Sequence, residues 1–297
     1  PQEVDELPEG NAYGGFVIFE EELYFWDGDS WEVVGGGGSG LEALDEGNGI
    51  GWRLAGRNPA NYGNIGLNAI DLGYATFASS TIGATGLQSK NFGYNSIASG
   101  NFSVNWGISS YATGSNSTAF GDQTTASGEN AIAWGRRSTA SGTNATAHGY
   151  YALASATLST AWGRQTTASY SYATAWGYGS TASNESATAW GRSTIASNRN
   201  STAWGSTTTA SGRGATTWGL RNTASSWYST TFGIYATTPV GQSGVFPPVA
   251  TDELVQIGNG TGIGARSHPF PILTAGTITA PSLDNTKITT AGNKALI

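Results

Sequence analysis

Few side chains in this 297-residue chain could take part in catalysis. Cysteine is absent, which excludes disulfides, thiolate zinc sites and cysteine nucleophiles, and the only two histidines are His148 and His268. The repetitive middle of the chain has three acids, Asp122, Glu129 and Glu185, in separate repeats, whereas glycoside hydrolysis needs two carboxylates at one cleft. We therefore expect no enzyme, no cofactor and no metal site. A glycan-active enzyme with its cleft between subunits is the catalytic alternative.

Aromatic rings form the most regular chemical feature of the sequence. One ring stands at every fourteenth position, and a histidine replaces Phe or Trp at one of them. This aromatic column consists of Phe92, Trp106, Phe120, Trp134, His148, Trp162, Trp176, Trp190, Trp204, Trp218 and Phe232. An exposed stripe of this length exceeds what soluble monomers carry, so we predict that it is buried against the same face of other copies. The alternative is that the rings are exposed and stack on glycan rings.

Burial of the aromatic column would bring His148 against its symmetry copies around an axis. Imidazoles gathered there could bind an anion or a metal. We favour a neutral, water-bridged polar layer that fixes the register of the copies.

Arginine and tyrosine alternate at the position after each repeat glycine, as Arg136, Tyr150, Arg164, Tyr178 and Arg192. Neighbouring coils of a stacked fold are about 4.8 Å apart, so guanidinium groups can stack on phenol rings while like charges stay about 9.6 Å apart. The first interpretation is a surface ladder that stabilises the stack, and the second is an edge that contacts anionic or hydroxylated glycans. Nucleic acid is not expected as a partner, because residues 47–297 carry only +6.

A strict repeat indicates the elements that position these columns. Glycine recurs every fourteen residues from Gly93 to Gly233, and alanine does so from Ala98 to Ala224. Each unit predicts two five-residue strands, such as 131–135 and 138–142, whose small side chains face inward from both sides. The interior then admits nothing larger than Ala, Ser or Thr. Glycine ends each strand because the turn requires a positive φ, and Asn184 and Asn198 replace it at the second turn.

The flanks differ from the repeat in charge and composition. Residues 1–46 carry −13 and contain no Lys or Arg. We predict an acidic N-terminal β-hairpin docking module over 1–34 with its turn at Asp27-Gly28, and a Gly-rich hinge and transition segment over 35–90. The β-roll of repeats covers 91–237, and an irregular C-terminal β segment covers 238–297. No segment predicts membrane insertion.

The strings at 159–163 (STAWG) and 201–205 (STAWG), alternating with Ser-Thr-Ala-Ser, resemble the head repeats of YadA-type trimeric autotransporter adhesins. The resemblance covers about residues 91 to 237. It implies an all-β fold, a left-handed parallel β-roll or solenoid with fourteen residues per coil, and three rolls joined at their inner sheets. The aromatic column would then be the core of a homotrimer.

The segments at 49–66, 256–262 and 276–281 resemble segments that flank such repeats in tail-fibre-like proteins of phages infecting Bacteroidota. This resemblance implies a structural trimeric fibre of a phage virion, on the tail or head. Such a fibre docks to another virion protein by its N-terminal end and contacts the host surface, where surface glycans are the candidate partners. The alternative is a bacterial trimeric surface adhesin on the cell surface.

Overall fold

The structure, a computed structural model, describes residues 16–19, 22–26, 31–33, 40–237, 253–259 and 272–273. Its regular elements are β-strands, together with one 3-10 turn at Pro59–Asn61. The chain divides into two compact units, unit 1 with residues 1–126 and unit 2 with residues 127–297. Each unit contains parallel strands that wind as a solenoid, so the all-β parallel solenoid expected from the sequence is confirmed.

The strands of unit 1 follow one another closely along the chain. They are β1 (Phe16–Phe19), β2 (Glu22–Trp26), β3 (Trp31–Val33), β4 (Leu41–Asp45), β5 (Ile50–Leu54), β6 (Ile70–Asp71), β7 (Gly83–Ala84), β8 (Lys90–Asn91), β9 (Ile97–Ala98), β10 (Val104–Ile108), β11 (Tyr111–Ala112), β12 (Thr118–Asp122) and β13 (Thr125–Ala126). β1, β2 and β3 form an antiparallel sheet. Trp26 lies opposite Trp31, as a hairpin requires, while the turn predicted at Asp27-Gly28 lies outside the described residues.

The solenoid of unit 1 begins with wider coils and then becomes regular. β4 pairs antiparallel with β5, after which β5, β6, β8, β10 and β12 pair in parallel, and β7, β9, β11 and β13 form a second parallel sheet. The register advances by eighteen and then twenty residues, from Trp52 to Ile70 to Lys90, before it settles at fourteen. The second half of the predicted transition segment therefore already belongs to a parallel sheet. Residues 35–39 of the predicted hinge lie outside the described residues.

Unit 2 continues the fourteen-residue pattern with alternating long and short strands. They are β14 (Ile132–Arg136), β15 (Thr139–Ala140), β16 (Thr146–Tyr150), β17 (Leu153–Ala154), β18 (Thr160–Arg164), β19 (Thr167–Ala168), β20 (Thr174–Tyr178), β21 (Thr181–Ala182), β22 (Thr188–Arg192), β23 (Ile195–Ala196), β24 (Thr202–Ser206), β25 (Thr209–Ala210), β26 (Thr216–Leu220), β27 (Thr223–Ala224), β28 (Thr230–Ile234), β29 (Glu253–Asn259) and β30 (Ile272–Leu273). The long strands pair in parallel from β14 to β29, and the short strands pair in parallel from β15 to β27. β30 pairs antiparallel with β29, and the rest of the predicted C-terminal segment lies outside the described residues.

Small side chains fill the interior of the coils, because both sheets turn their small face inward. In one coil of unit 2, Ser159, Ala161, Thr166 and Ala168 are completely buried, and the other coils repeat this arrangement. Methyl and hydroxyl groups are the largest groups at most of these positions. The prediction of a very thin interior is wrong at a few sites, however, since Asn91, Asn105, Asn222 and Gln256 are also completely buried.

Two of these larger amides, Asn105 and Asn222, bond to backbone groups that face the interior, and Asn91 bonds to the side chains of Asp71 and Ser96. Asn222 Nδ2 donates to the carbonyl oxygens of Trp218 at 2.6 Å and Gly233 at 2.8 Å, and its Oδ1 accepts from the Ala236 amide at 2.7 Å. Asn105 bonds in the same manner to the carbonyls of Ile97 and Ser110.

Strand length and turn conformation differ from the sequence prediction. The second strand of each coil has two residues, not five, because the chain enters its turn earlier. Left-handed backbone recurs at every seventh residue from 88 to 235, with φ between 48° and 64°. Asn184 and Asn198 precede these positions by two residues, so the prediction that they supply a positive φ is wrong. Their Nδ2 groups donate instead to the carbonyls of Ser197 and Ser211.

The repeat glycine has the predicted positive φ in unit 2, and it also allows close approach of adjacent coils. At Gly163, φ is 125°, and a Cβ would lie 2.0 Å from the carbonyl oxygen of Gly177 in the next coil. No side chain larger than hydrogen fits there.

Candidate interaction surfaces

The outward face of the long strands carries three parallel columns of side chains. In β18, Ala161 is buried while Thr160, Trp162 and Arg164 point to the other side. Parallel pairing in register repeats this order in the neighbouring strands of unit 2, so a threonine column, the aromatic column and the arginine and tyrosine column run side by side.

The aromatic column of unit 2 is a stack of rings on this face. Ring centroids lie 5.1 Å apart for Trp162 and Trp176, 5.1 Å for Trp176 and Trp190, and 5.0 Å for Trp190 and Trp204. The rings are nearly parallel, with interplanar angles of 4° to 12°. The tryptophans from Trp134 to Trp218 are nevertheless 43–55% exposed in the single chain. Stacking along the column therefore covers only part of each ring, and the outer faces together form a long apolar surface.

The same column occurs in unit 1 with less regular stacking. Trp106 lies 5.2 Å from Phe92 and 6.1 Å from Phe120, and both pairs are tilted by 37°. The structure thus places the column predicted from the sequence on one face within each unit. Its burial at a trimer axis stays a prediction.

An apolar cleft of about 460 Å³ opens in the column of unit 2 near its end. It is lined by Trp204, Gly205, Trp218 and Gly219, so two indoles form its walls and glycine backbone forms its floor. Beyond the cleft, the rings of Trp218 and Phe232 stack at 5.1 Å.

His148 takes the place of a tryptophan within the stack. Its imidazole centroid lies 5.1 Å from that of Trp134 and 4.8 Å from that of Trp162. The single ring of histidine is smaller than indole and is half-buried between its neighbours. Its role as a polar layer between copies stays a prediction.

Arginine and tyrosine form a cation–π ladder at the end of the long strands. The Arg164 guanidinium carbon lies 5.6 Å from the ring centroid of Tyr150 and 5.3 Å from that of Tyr178, and Arg136 lies 5.8 Å from Tyr150. Register places Arg192 after Tyr178 in the same column. The predicted ladder is therefore brought together, and it lies on the same face as the aromatic column, two residues further along each strand.

A neighbouring set of contacts was missed by the sequence analysis. Arg137 donates to the Tyr151 hydroxyl and Arg221 donates to that of Tyr235 at 3.0 Å, with the guanidinium groups over the rings at 5.3 and 5.5 Å. Tyr151 also packs edge-on against Tyr150 at 4.6 Å. In each pair the arginine precedes the tyrosine by fourteen residues, so the repeat length would have revealed them.

Unit 1 contains a buried polar cluster that no pattern in the sequence predicted. Arg53 is 2% exposed, and its guanidinium contacts Glu46 at 3.3 Å and Asp71 at 3.6 Å, while it donates to the Gly63 carbonyl at 2.8 Å. Asp71 accepts in turn from Asn91 Nδ2 at 3.0 Å. The cluster replaces small side chains in the wider coils that precede the regular repeat.

Tyr62 covers this cluster from the side. The Arg53 guanidinium lies 4.7 Å from its ring centroid, and its hydroxyl donates to the Gly73 carbonyl at 3.2 Å and accepts from the Ala75 amide at 3.1 Å. Burial raises the pKa of the Tyr62 phenol above its ordinary value of 10.0, and the hydrogen bond from Ala75 opposes this effect.

The acids of the repeat do not gather at a common site. Glu185 forms an exposed ion pair with Arg199 at 3.0 Å, fourteen residues along the chain. Over the described ranges, no group of three His, Cys, Asp or Glu side chains is placed to hold a metal ion. No helix within those ranges is long and apolar enough to cross a membrane.

Comparison with known families identifies two copies of the YadA head domain repeat, at residues 112–138 and 135–155. The parallel solenoid with coils of about fourteen residues agrees with a YadA-type β-roll, which confirms the resemblance stated for the repeat. A comparison with curated proteins gave no match.

Proposed function

We propose that this chain, whose residues 112–155 carry two YadA head domain repeats, is the β-roll part of a homotrimeric surface fibre. The observation that carries the proposal is the exposed aromatic column, with tryptophans that are 43–55% exposed on a single face of unit 2. Soluble proteins cover apolar surfaces of this extent, and the same face of other copies is a self-complementary cover. Three copies are proposed because the repeat resembles the heads of trimeric adhesins.

The fibre has a structural and adhesive role, without catalysis or a cofactor, and acts outside the cell. Its place is a phage virion, where the acidic N-terminal segment docks to another virion protein and the β-roll contacts the host. This assignment is supported by the flanking segments that resemble phage tail-fibre-like proteins and by the charge of −13 over residues 1–46.

A bacterial trimeric surface adhesin is the second candidate. The YadA head repeats favour it, because that match is to a family of adhesin heads. Detection of the chain in purified virions by mass spectrometry, with its position found by antibody labelling, supports the phage fibre. Detection on bacterial cells that carry no phage supports the adhesin.

The trimer is tested by removing part of the aromatic column. Replacing Trp176 and Trp190 with Ser should weaken association by several kcal/mol per chain, because both rings lose their apolar contact with the other copies. Light scattering should then report monomers or aggregates in place of a mass of three chains.

A matched control removes equally exposed rings from a different surface. Tyr170 and Tyr172 are 52% and 58% exposed and lie at the second turn, away from the aromatic column. Their replacement with Ser should leave the mass unchanged. An intact trimer of unchanged melting temperature in the tryptophan variant would show that the aromatic column is not the interface.

A further inference from the structure

Each coil of unit 2 has a first turn, which follows the long strand, and a second turn, which follows the short strand. The two turns differ in charge. Within residues 127–237, the ends of the long strands and the first turns that follow them carry five arginines and no acid: Arg136, Arg137, Arg164, Arg192 and Arg221. The second turn carries Arg199 and Arg213 together with both acids of this range, Glu129 and Glu185. One edge of the solenoid is therefore cationic, and the other is neutral.

Four of the five arginines on the cationic edge lie over tyrosine rings, and Arg192 follows Tyr178 in the same column by register. A tyrosine ring does not neutralise the charge of a guanidinium group. Arg164 lies between Tyr150 and Tyr178 at 5.6 and 5.3 Å from their ring centroids. Neither Arg164 nor Arg192 has a carboxylate partner among the described residues. A guanidinium stacked on a ring keeps its N–H donors, which lie in the guanidinium plane, available for carboxylate or sulfate oxygens.

The spacing along the edge is fixed by the register of the long strands. Tyr150 pairs with Arg164, Arg164 with Tyr178, and Tyr178 with Arg192. Arg164 and Arg192 are thus two coils apart, or about 9.6 Å, with an exposed phenol between them. Charge and ring surface therefore alternate from coil to coil along this column.

We propose that this edge binds an acidic polysaccharide. Carboxylate or sulfate groups of the polymer pair with Arg164 and Arg192, while the outward edges and hydroxyl groups of Tyr150 and Tyr178 contact the sugar rings, because arginines already lie over the faces of these phenols. A polymer with an acidic group on every second sugar fits the alternation. Duplex nucleic acid fits less well, because its phosphates follow one another every 3.4 Å or so along each strand and would require a denser row of cations.

This inference rests on the proposed surface fibre, since the edge flanks the aromatic column on the same face. A trimer closed on that column would carry three such edges along its length. The binding contacts would then repeat along each chain and across the three chains. Many weak contacts to one polysaccharide would together give a higher overall affinity.

Binding is measured with the full chain against hyaluronan, which has a carboxylate on every second sugar, with neutral dextran and single-stranded poly(dT) in parallel. The test variant carries Arg164→Gln and Arg192→Gln. The control variant carries Arg199→Gln and Arg213→Gln, which removes the same charge from the neutral edge. Light scattering reports the mass of every variant.

We expect the test variant to bind hyaluronan about tenfold more weakly or worse, and the control variant to bind nearly as the original chain does. Tyr150→Ala with Tyr178→Ala should also weaken binding, and raised salt should mimic the arginine loss. Absence of hyaluronan binding, equal binding of dextran, equal losses in both arginine variants or tighter binding of poly(dT) would each overturn the inference. An original chain that is monomeric would overturn the proposed trimer instead, and the mass measurement separates the two failures.

Discussion

Bulky residues occupy left-handed backbone positions in several coils, at the point where the second turn needs a positive φ. Leu158 has φ of 57° and is 45% exposed, whereas Asn130, Asn144 and Asn200 hold the same position in other coils. A side chain with a Cβ pays about 1–2 kcal/mol in this conformation, and asparagine tolerates it better. We expect Leu158→Asn to raise the free energy of unfolding by about 0.5–1 kcal/mol.

Thermal and denaturant unfolding measure this gain. Thr157→Asn is the control, because Thr157 is a neighbouring exposed residue without a positive φ. Equal effects of both substitutions would mean that the backbone conformation is not the cause.

Tyr62 gives unit 1 a dependence on alkaline pH. The pKa of its phenol is raised by burial, so the folded state holds the proton more tightly than the unfolded state. This contribution to stability is complete below the ordinary value of 10.0 and is lost as pH rises through the higher folded value. In Tyr62→Phe the loss of stability above that pH should be smaller.

Denaturant unfolding at pH 8 and across the alkaline range tests this prediction. Tyr62→Phe should cost about 1 kcal/mol already at neutral pH, because the Ala75 amide loses its acceptor. Tyr94→Phe, at an exposed tyrosine, serves as the control. The same alkaline loss in Tyr62→Phe and in the original chain would contradict the assignment.

At the scale of the element, two glycines differ in why a larger residue would destabilise the fold. At one the backbone conformation alone is unfavourable, and at the other a side chain would also clash with the next coil. A Cβ on Gly163 would lie 2.0 Å from the Gly177 carbonyl oxygen, whereas at Gly179, with φ of 63°, the nearest atom is 3.7 Å away. Gly179→Ala should therefore cost about 1 kcal/mol, from backbone conformation alone. Gly163→Ala should cost on the order of 3 kcal/mol or more, because the coils must also move apart. Equal melting temperatures of the two variants would refute the close approach.

The repeat made the strands, their parallel stacking and the columns of side chains predictable. Because side chains alternate between the two faces of a strand, a small inner face requires Ala161 to point inward and Trp162 to point outward. The two-residue length of the second strand was not predictable, because Ser-Thr-Ala-Ser is as compatible with a longer strand. Arg53 and Asp71 were missed because a buried ion pair depends on contacts between coils of irregular length, which no fixed spacing reveals.

At the scale of the whole molecule, the solenoid should tolerate changes of length only in whole coils. Deletion of residues 164–177 joins Gly163 to Tyr178 and keeps every later side chain on its own sheet. Deletion of residues 164–170 keeps the seven-residue pattern of left-handed positions but moves the later tryptophans to the opposite sheet, because a coil has two halves of that length.

We expect the variant that lacks fourteen residues to remain folded and of unchanged oligomeric state, with a slightly lower melting temperature. The variant that lacks seven should lose stability and association, because its aromatic surface is split between two faces. Circular dichroism and light scattering distinguish them. Similar behaviour of the two deletions would mean that the sheets are interchangeable.

The parallel indoles from Trp162 to Trp204 have an optical consequence. The ring centroids of these identical chromophores lie about 5 Å apart, and their planes meet at angles of 4° to 12°. At this distance the electronic excitation of one indole is shared with the indoles of the neighbouring coils. Coupling between the stacked indoles should therefore contribute to the circular dichroism in the indole absorption bands, and this contribution should vanish on unfolding and be reduced by Trp176→Phe. Unfolding of the stacked coils of unit 2 can then be followed through the chain's own indole absorption, without an added label.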